Sequence, residues 1–284
     1  MWRNGVGSIV QTCDMCGANA GQPFAEKHDL QYLQCAECGF VYADVLQFDF
    51  TEFNADIISD MQSDHVGKMS SASHQKNYRR MLKEFEPYRQ TGNFLEVGCA
   101  TGSFLHMVKA AGWHEFGVEP VESSATYGIE QLGLNIHIGV LNTAELELGS
   151  FDVVYSNAVL EHLASPREVI EQVFALLRPG GVFYADTVNL DSYTWRFLGP
   201  RWKLFDPRMH LSMFTPRSLR LYCESAGFEV VKMATHGVRF HATRADQPHG
   251  VYRVLDELRK APYSWAARRN LKGDNIAVYA AKPV

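Results

Sequence analysis

The sequence predicts an α/β protein: a doubly wound, mostly parallel seven-stranded sheet preceded by a small zinc ribbon. Three observations predict it. From residue 93 onward, short apolar runs alternate with segments of helical periodicity. The first run breaks into small residues, "FLEVGCATGSF" (94–104), as a strand does when it delivers a ligand loop. Residues 13–38 carry two C-x2-C pairs.

In order, residues 1–45 read as the ribbon, 46–92 as a polar helical linker or lid, and 93–284 as the main domain. Segments 189–214 and 235–270 read as substrate-side insertions. In "KMSSASHQKNYRRMLKEFEPYRQTG" (68–92) an exposed turn precedes a helix. Its apolar residues Tyr78, Met81, Leu82 and Phe85 fall at helical spacing, and Pro87 and Gly92 close it. Strands are expected at 93–98, 115–119, 135–139, 151–156, 181–188, 228–234 and 275–281. Helices are expected at 103–111, 122–132, 166–178 and 216–226. Ser165-Pro166 and Thr215-Pro216 read as cap and first turn, with "RPGG" and Gly227 as stops. The last strand follows another with no clear crossover helix, which admits an antiparallel placement.

The 284 residues suffice for one large domain and a small one. Hydrophobic residues make up 46% and charged residues 21%, a globular rather than disordered balance. The formal charge of −5 argues against a nucleic-acid partner, which favours a basic face. No apolar run reaches membrane-spanning length and "MWRNGVGSIV" lacks a signal-peptide core, so a soluble, cytoplasmic protein is expected. Oligomeric state is left open.

Cys13, Cys16, Cys35 and Cys38, with eighteen residues between the pairs, match the spacing of four thiolates on one tetrahedral Zn2+. Both pairs run into glycine, which lets the backbone turn so that amides point at the sulfurs. A redox dithiol needs a strand–helix junction that is not seen here. With four cysteine ligands the metal is structural, and it supplies the folding energy that so small a core lacks.

The loop spacing, Gly98-x-Ala100-x-Gly102, departs from the G-x-G-x-x-G of pyrophosphate sites, and Glu96 stands two residues ahead of it. A carboxylate there repels pyrophosphate and suits a cationic ligand end. S-adenosylmethionine (SAM) offers such an end in its α-ammonium. Glu119, 23 positions after Glu96 and ending the second strand, is placed to accept the two ribose hydroxyls. Alanine fits position 100 if its φ is negative, so it is not read as loss of binding.

The motifs "LEVGCATG", "GVEP", "GSFDVVYSNAVLEHLASP", "LLRPGG" and "HLSMFTPRSL" run in an order that resembles the class I SAM-dependent methyltransferases, over about residues 70–284. The last resembles the ubiquinone-biosynthesis-type, small-molecule subgroup, and the four-cysteine segment resembles that of some deoxysugar methyltransferases. The resemblance implies a Rossmann-like fold. It implies that Gly98, Ala100 and Gly102 line the methionine part of SAM, with Glu96 near its amino end. Glu119 then binds the ribose and Pro120 lies beside the adenine. Leu141 and Asn142 supply an adenine contact, and Ser156 and Asn157 flank the cofactor where strand order reverses. Tyr78 closes over the methionine end.

Methyl transfer to a hydroxyl needs a base. His162, in "VLEHL", and His210, in "DPRMHLSMF", are the candidates. The rings Tyr193, Trp195, Phe197, Trp202, Phe205 and Phe214 read as a lid over an apolar or ring-shaped acceptor. The Asn/Asp-Pro-Pro-Tyr of nucleobase amino methylases and the Pro-Cys of cytosine C5 methylases are absent. The reading is a methyltransferase for a small molecule, at a hydroxyl oxygen of a secondary metabolite, sugar or quinone-like compound. Transfer to nitrogen or carbon, and RNA held by the ribbon, remain as alternatives. Lys27 is the only Lys or Arg between Cys13 and Cys38, which disfavours the last.

Overall fold

The computed structural model describes residues 12–44, 71–242, 246 and 250–284. The turn expected just after residue 68 falls, up to residue 70, outside the described residues, as does most of the 46–92 linker.

The described chain opens with strands β1 (Gly21–Lys27), β2 (Leu30–Cys35) and β3 (Val41–Ala43). His28 and Asp29 join β1 to β2 with φ of 56° and 60°, the left-handed pair a two-residue hairpin turn requires. Helix α1 (Ala72–Phe85) leads to β4 (Asn93–Val97), α2 (Ser103–Ala110), β5 (His114–Glu119), α3 (Glu122–Leu132) and β6 (Ile136–Ile138). The second half runs β7 (Phe151–Asn157), α4 (Pro166–Leu176), β8 (Leu177–Val188), α5 (Tyr193–Leu198), β9 (Ser212–Met213), α6 (Pro216–Ser225), β10 (Glu229–His236), α7 (Val251–Asn270) and β11 (Asn275–Ala281).

Seven strands form one sheet in the order β10-β11-β8-β7-β4-β5-β6. β4 pairs in parallel with both β5 and β7, so the chain reverses its direction of travel across the sheet there. That switch point opens a crevice at the carboxyl edge. The antiparallel option holds for β11, which lies between β8 and β10 and runs against both. The central strands are apolar along their length because both faces are covered. On one face Phe85 of α1 and Phe104 of α2 pack with Phe94, Tyr155 and Tyr184. On the other, α4 and α6 share a cluster with Leu95, Val154 and Phe183 that also takes in Cys13, Met15 and Phe40 of the ribbon.

The ribbon is stitched to the sheet domain. β1, β2 and β3 form a second, four-stranded sheet whose fourth strand is β9, with Val41 opposite Met213 and Tyr42 opposite Ser212. A third cluster joins Tyr32, Val41 and Ala43 to Leu198, Trp202, Phe205 and Leu211. This overturns part of the lid expectation. Trp202, Phe205 and Phe214 are completely buried, and Trp195 stacks on Phe24 of β1 with centroids 5.8 Å apart. A ribbon too small to make its own core takes these rings as its partner.

Two local expectations fail for related reasons. Helix α4 stops at Leu176 and β8 begins at Leu177, so "RPGG" lies in a strand. Arg178 reaches back to Asp152, Nε to Oδ1 2.6 Å, and fixes the chain in extended form. Ser165 makes no side-chain cap bond. The Arg167 N–H at that helix start donates instead to Asp14 Oδ2 of the ribbon, at 3.1 Å. Thr215 does cap α6, through a reciprocal pair with Ser218.

Candidate active site and metal centre

The loop after β4 is built by close approach. Gly98 and Gly102 have φ of 73° and 77°. A Cβ on Gly98 would lie 2.4 Å from Val159 Cγ2, and one on Gly102 2.2 Å from Leu134 Cδ1. Between them Ala100 has φ of 48°, against the expectation of a negative value. The left-handed conformation costs a residue with a Cβ about 1–2 kcal/mol. Glu119 offsets it: its Oε2 accepts the Ala100 N–H at 2.8 Å and its Oε1 the Val121 N–H at 2.9 Å. The strand-end acid thus clamps the loop, and each oxygen keeps acceptor capacity for a ligand hydroxyl.

Glu96 is buried at the heart of this loop, and its Oε2 has no hydrogen-bond partner. Burial, and then the charge of Glu119, push its carboxyl well above the usual range, and the Leu105 N–H offsets this only in part. Burial raises Glu119 as well, against the two N–H donors. Ser156, at the end of β7, is also buried with its Oγ unpartnered. An unmet buried carboxylate oxygen calls for a cation or donor, and the α-ammonium of SAM meets that need. The residues fit the cofactor.

Of the remaining cofactor candidates, Pro120, Asn157 and the Leu141–Asn142 turn stand at or just beyond the carboxyl ends of β5, β7 and β6. Pro120 and Asn157 are exposed at the ends of β5 and β7, and Asn142 is exposed beside buried Leu141 in the turn after β6. Tyr78, half-buried, has its ring 5.0 Å from that of Phe104.

The two candidate bases come together. His162 ends the turn after β7, His210 lies just ahead of β9, and their ring centroids are 4.9 Å apart. His162 Nδ1 is 2.7 Å from the Met209 carbonyl and His210 Nδ1 2.6 Å from the Leu204 carbonyl. A carbonyl only accepts, so each Nδ1 carries the proton and each neutral ring keeps its lone pair on Nε2. Burial lowers the pKa of both, that of His210 to about 4 with His162 as the second cause.

Glu161 was missed from sequence, although it directly precedes His162. It is buried, accepts the Thr187 hydroxyl at 2.6 Å, and is pushed up to about 7 by desolvation. Ligating atoms of Glu161, His162 and His210 lie within 4.8 Å of one another, a donor set that can pass protons or hold a metal ion. Also missed was His236, whose Nε2 is 2.9 Å from buried Asp186 Oδ2. That hydrogen bond raises its pKa.

The four ribbon cysteines also converge. Cys13 Sγ and Cys38 Sγ are 3.6 Å apart, as are Cys16 and Cys35, and all four sulfurs lie within 4.8 Å. A tetrahedron with metal–sulfur bonds of about 2.3 Å has edges of about 3.8 Å, so the cluster fits zinc. Backbone amides face the sulfurs, as expected. Gly17 and Gly39 donate to the Cys13 and Cys35 carbonyls and close the turns, while Cys16 and Cys38 present their amides to the sulfurs.

A seven-stranded sheet of this order, with an acid-led loop at its switch point, defines a class I SAM-dependent methyltransferase. The model of a methyltransferase domain family matches residues 71–233, more than half of the chain, and the chain belongs to that family. It is 31% identical over 156 residues to the ubiquinone biosynthesis O-methyltransferase of Haemophilus ducreyi, covering 49% of this chain and 66% of that one. It is 30% identical over 165 residues to the tRNA U34 carboxymethyltransferase of Psychromonas ingrahamii, covering 55% and 49%. The match thus spans about half to two thirds of these relatives' length. A SAM-dependent methyltransferase structure from Archaeoglobus fulgidus shares the fold, with a TM-score of 0.52 at 21% identity over 73% of this chain and 92% of that one. Among the described residues no helix is long and apolar enough to cross a membrane.

Proposed function

We propose that this methyltransferase acts on a hydroxyl oxygen of a small molecule, with His162 as the base and Zn2+ as a structural ion on Cys13, Cys16, Cys35 and Cys38. The observation that carries the reading is the pair of neutral imidazoles with both Nδ1–H groups tied to carbonyls. Glu96 takes the ammonium of SAM, Glu119 the ribose hydroxyls, and the Gly98–Gly102 loop the methionine backbone between them. Pro120, Leu141 and Asn142 border the adenine, Ser156 and Asn157 the space beside the methyl, and Tyr78 the methionine end. Bound SAM supplies a methyl group activated by its sulfonium. The chain's own part is to exclude water, orient the acceptor and receive its proton at His162 Nε2. The Met209 carbonyl on Nδ1 favours the imidazolium that results, as its effect on the His162 pKa indicates. His210 is held neutral and shapes the acceptor side.

The test is incubation with methyl-labelled SAM of two separate pools, small-molecule extract and tRNA. The expected result is label in the small-molecule pool, reduced about 100-fold or more by His162→Ala and less by His210→Ala. The tRNA-modifying relative supports RNA as a second reading. Label in the tRNA pool alone overturns the small-molecule assignment, and full turnover by His162→Ala overturns the base.

A further inference from the structure

Beyond β8 and β10, whose carboxyl ends lie on the same edge of the sheet as the SAM loop, the structure holds a cavity of about 740 Å³. It is bounded by α5 and the turn after it, by residues 240–242 and Asp246 beyond β10, and by Arg259 and Tyr263 of α7. Its size is that of a small-molecule site. Its chemistry is divided. One wall is aromatic: Phe197, Phe240 and Tyr263 meet edge to face, with centroids 4.9 to 5.3 Å apart. Among the described lining residues the charge is mostly basic, with Arg196, Arg201 and Arg259 against one carboxylate, that of Asp246.

The three guanidinium groups are not equivalent. Arg196 lies 3.5 Å from Asp191. Among the described residues neither Arg201 nor Arg259 has a carboxylate within 4 Å. Arg201 uses its Nε on the Leu198 carbonyl, which leaves the outer nitrogens for other work. Arg259 lies over the Phe240 ring, its Cζ 5.2 Å from the centroid, held by a cation–π contact. Two guanidinium groups with donors to spare, beside a wall of rings, match a ligand that carries an anion on a flat apolar body. Guanidinium grips carboxylate and phosphate alike through paired N–H donors, while rings favour rings.

We propose that this cavity seats the acceptor, and that the acceptor is an organic anion with a ring-bearing body, its negative group on Arg201 and Arg259. The proposal rests on the methyltransferase reading for its role, but the cavity's ligand preference is tested without turnover. The probes are 2-naphthoate and its neutral isostere 2-naphthamide, titrated calorimetrically into the full chain, with SAM titrated into the same preparations. The carboxylate is expected to bind at least about tenfold more tightly than the amide. Arg201→Gln and Arg259→Gln should each remove most of that preference, and Arg220→Gln, at an exposed position on α6, should leave it unchanged. Equal binding of acid and amide overturns the proposal, as does a preference that survives both cavity variants. A preparation that binds SAM but not naphthoate sinks the cavity assignment and leaves the methyltransferase reading intact. One that binds naphthoate but not SAM does the reverse.

Discussion

The cofactor loop and the ribbon reach their conformations by opposite routes. The loop is local: Glu96, Gly98, Ala100, Gly102 and Glu119 lie on two adjacent strands and the turn that leaves the first, and Glu119 binds the Ala100 N–H directly. The ribbon is held from a distance. Asp14 caps a helix at Arg167 and accepts from the Tyr222 hydroxyl at 3.0 Å, while the Tyr32 hydroxyl donates to the His210 carbonyl at 2.6 Å. The lesson is that the two halves of the site answer to different forces. The proposed SAM loop folds with its own strands, whereas the proposed acceptor side, at His210, leans on the ribbon through Tyr32.

The largest expected effect breaks that contrast outright. Cys16→Ser, or removal of zinc by chelation, should unfold the ribbon, since metal binding to such a site contributes on the order of 10 kcal/mol. Amide exchange should then rise along β1–β3 and at His210, while SAM affinity stays within about threefold. A collapse of SAM binding together with the ribbon shows that the halves are one unit.

Glu161→Gln comes next and concerns the acceptor side alone. Glu161 is ordinarily near 4.5 and is pushed up to about 7 in the fold. Below pH 4.5 both states hold the proton. Between 4.5 and 7 the unfolded chain has lost it and the native one has not, so stability falls as pH rises through this window. Removing the charge should stabilise the protein by about 2–3 kcal/mol above pH 7, with the advantage vanishing near pH 4. Denaturant titration across pH measures it, and a constant difference at all pH values refutes the assignment.

Glu96→Gln sharpens the cofactor half. A buried carboxyl oxygen without a partner is costly unless a cation or donor meets it. The variant should melt higher and bind SAM about 10- to 100-fold more weakly by calorimetry. Tighter or unchanged SAM binding removes Glu96 from the site. The smallest effect is at Ala100→Gly, expected to gain about 0.5–1 kcal/mol by relieving the positive φ, with SAM affinity preserved. Thermal unfolding distinguishes this from a loss of stability, which implies that the Ala100 methyl makes a favourable contact.

Legibility in the sequence follows the same division. The sheet, the loop and the four-cysteine cluster were readable because each rests on spacing within a short stretch. Glu96 stood out because an acid before a glycine loop is a chemical choice visible in one line of sequence. What was not readable needed a partner far along the chain. The "RPGG" strand depends on Asp152, the start of α4 on Asp14, and the burial of Trp202 and Phe205 on Tyr32 and Val41 of the ribbon. Helix α7, with Leu255, Leu258 and Trp265 exposed, lacks the one-sided apolar stripe by which sequence marks a helix. The φ of Ala100 was misjudged because the clamp that makes it tolerable belongs to the next strand.

The pairing of β3 with β9 also sets an order of assembly. Tyr42 meets Ser212 across 170 positions of chain. During synthesis the ribbon is made before the sheet domain, so its open edge, β3, has nothing to pair with until β9 has been made. For that interval Val41 and Tyr42 present an unpaired strand to the cell, a template for wrong partners. Contacts of such long range form late and slowly. The nascent chain therefore passes through a stage in which the ribbon has been made and its β9 partner has not, and its yield in any host should depend on how quickly the stretch through residue 213 follows.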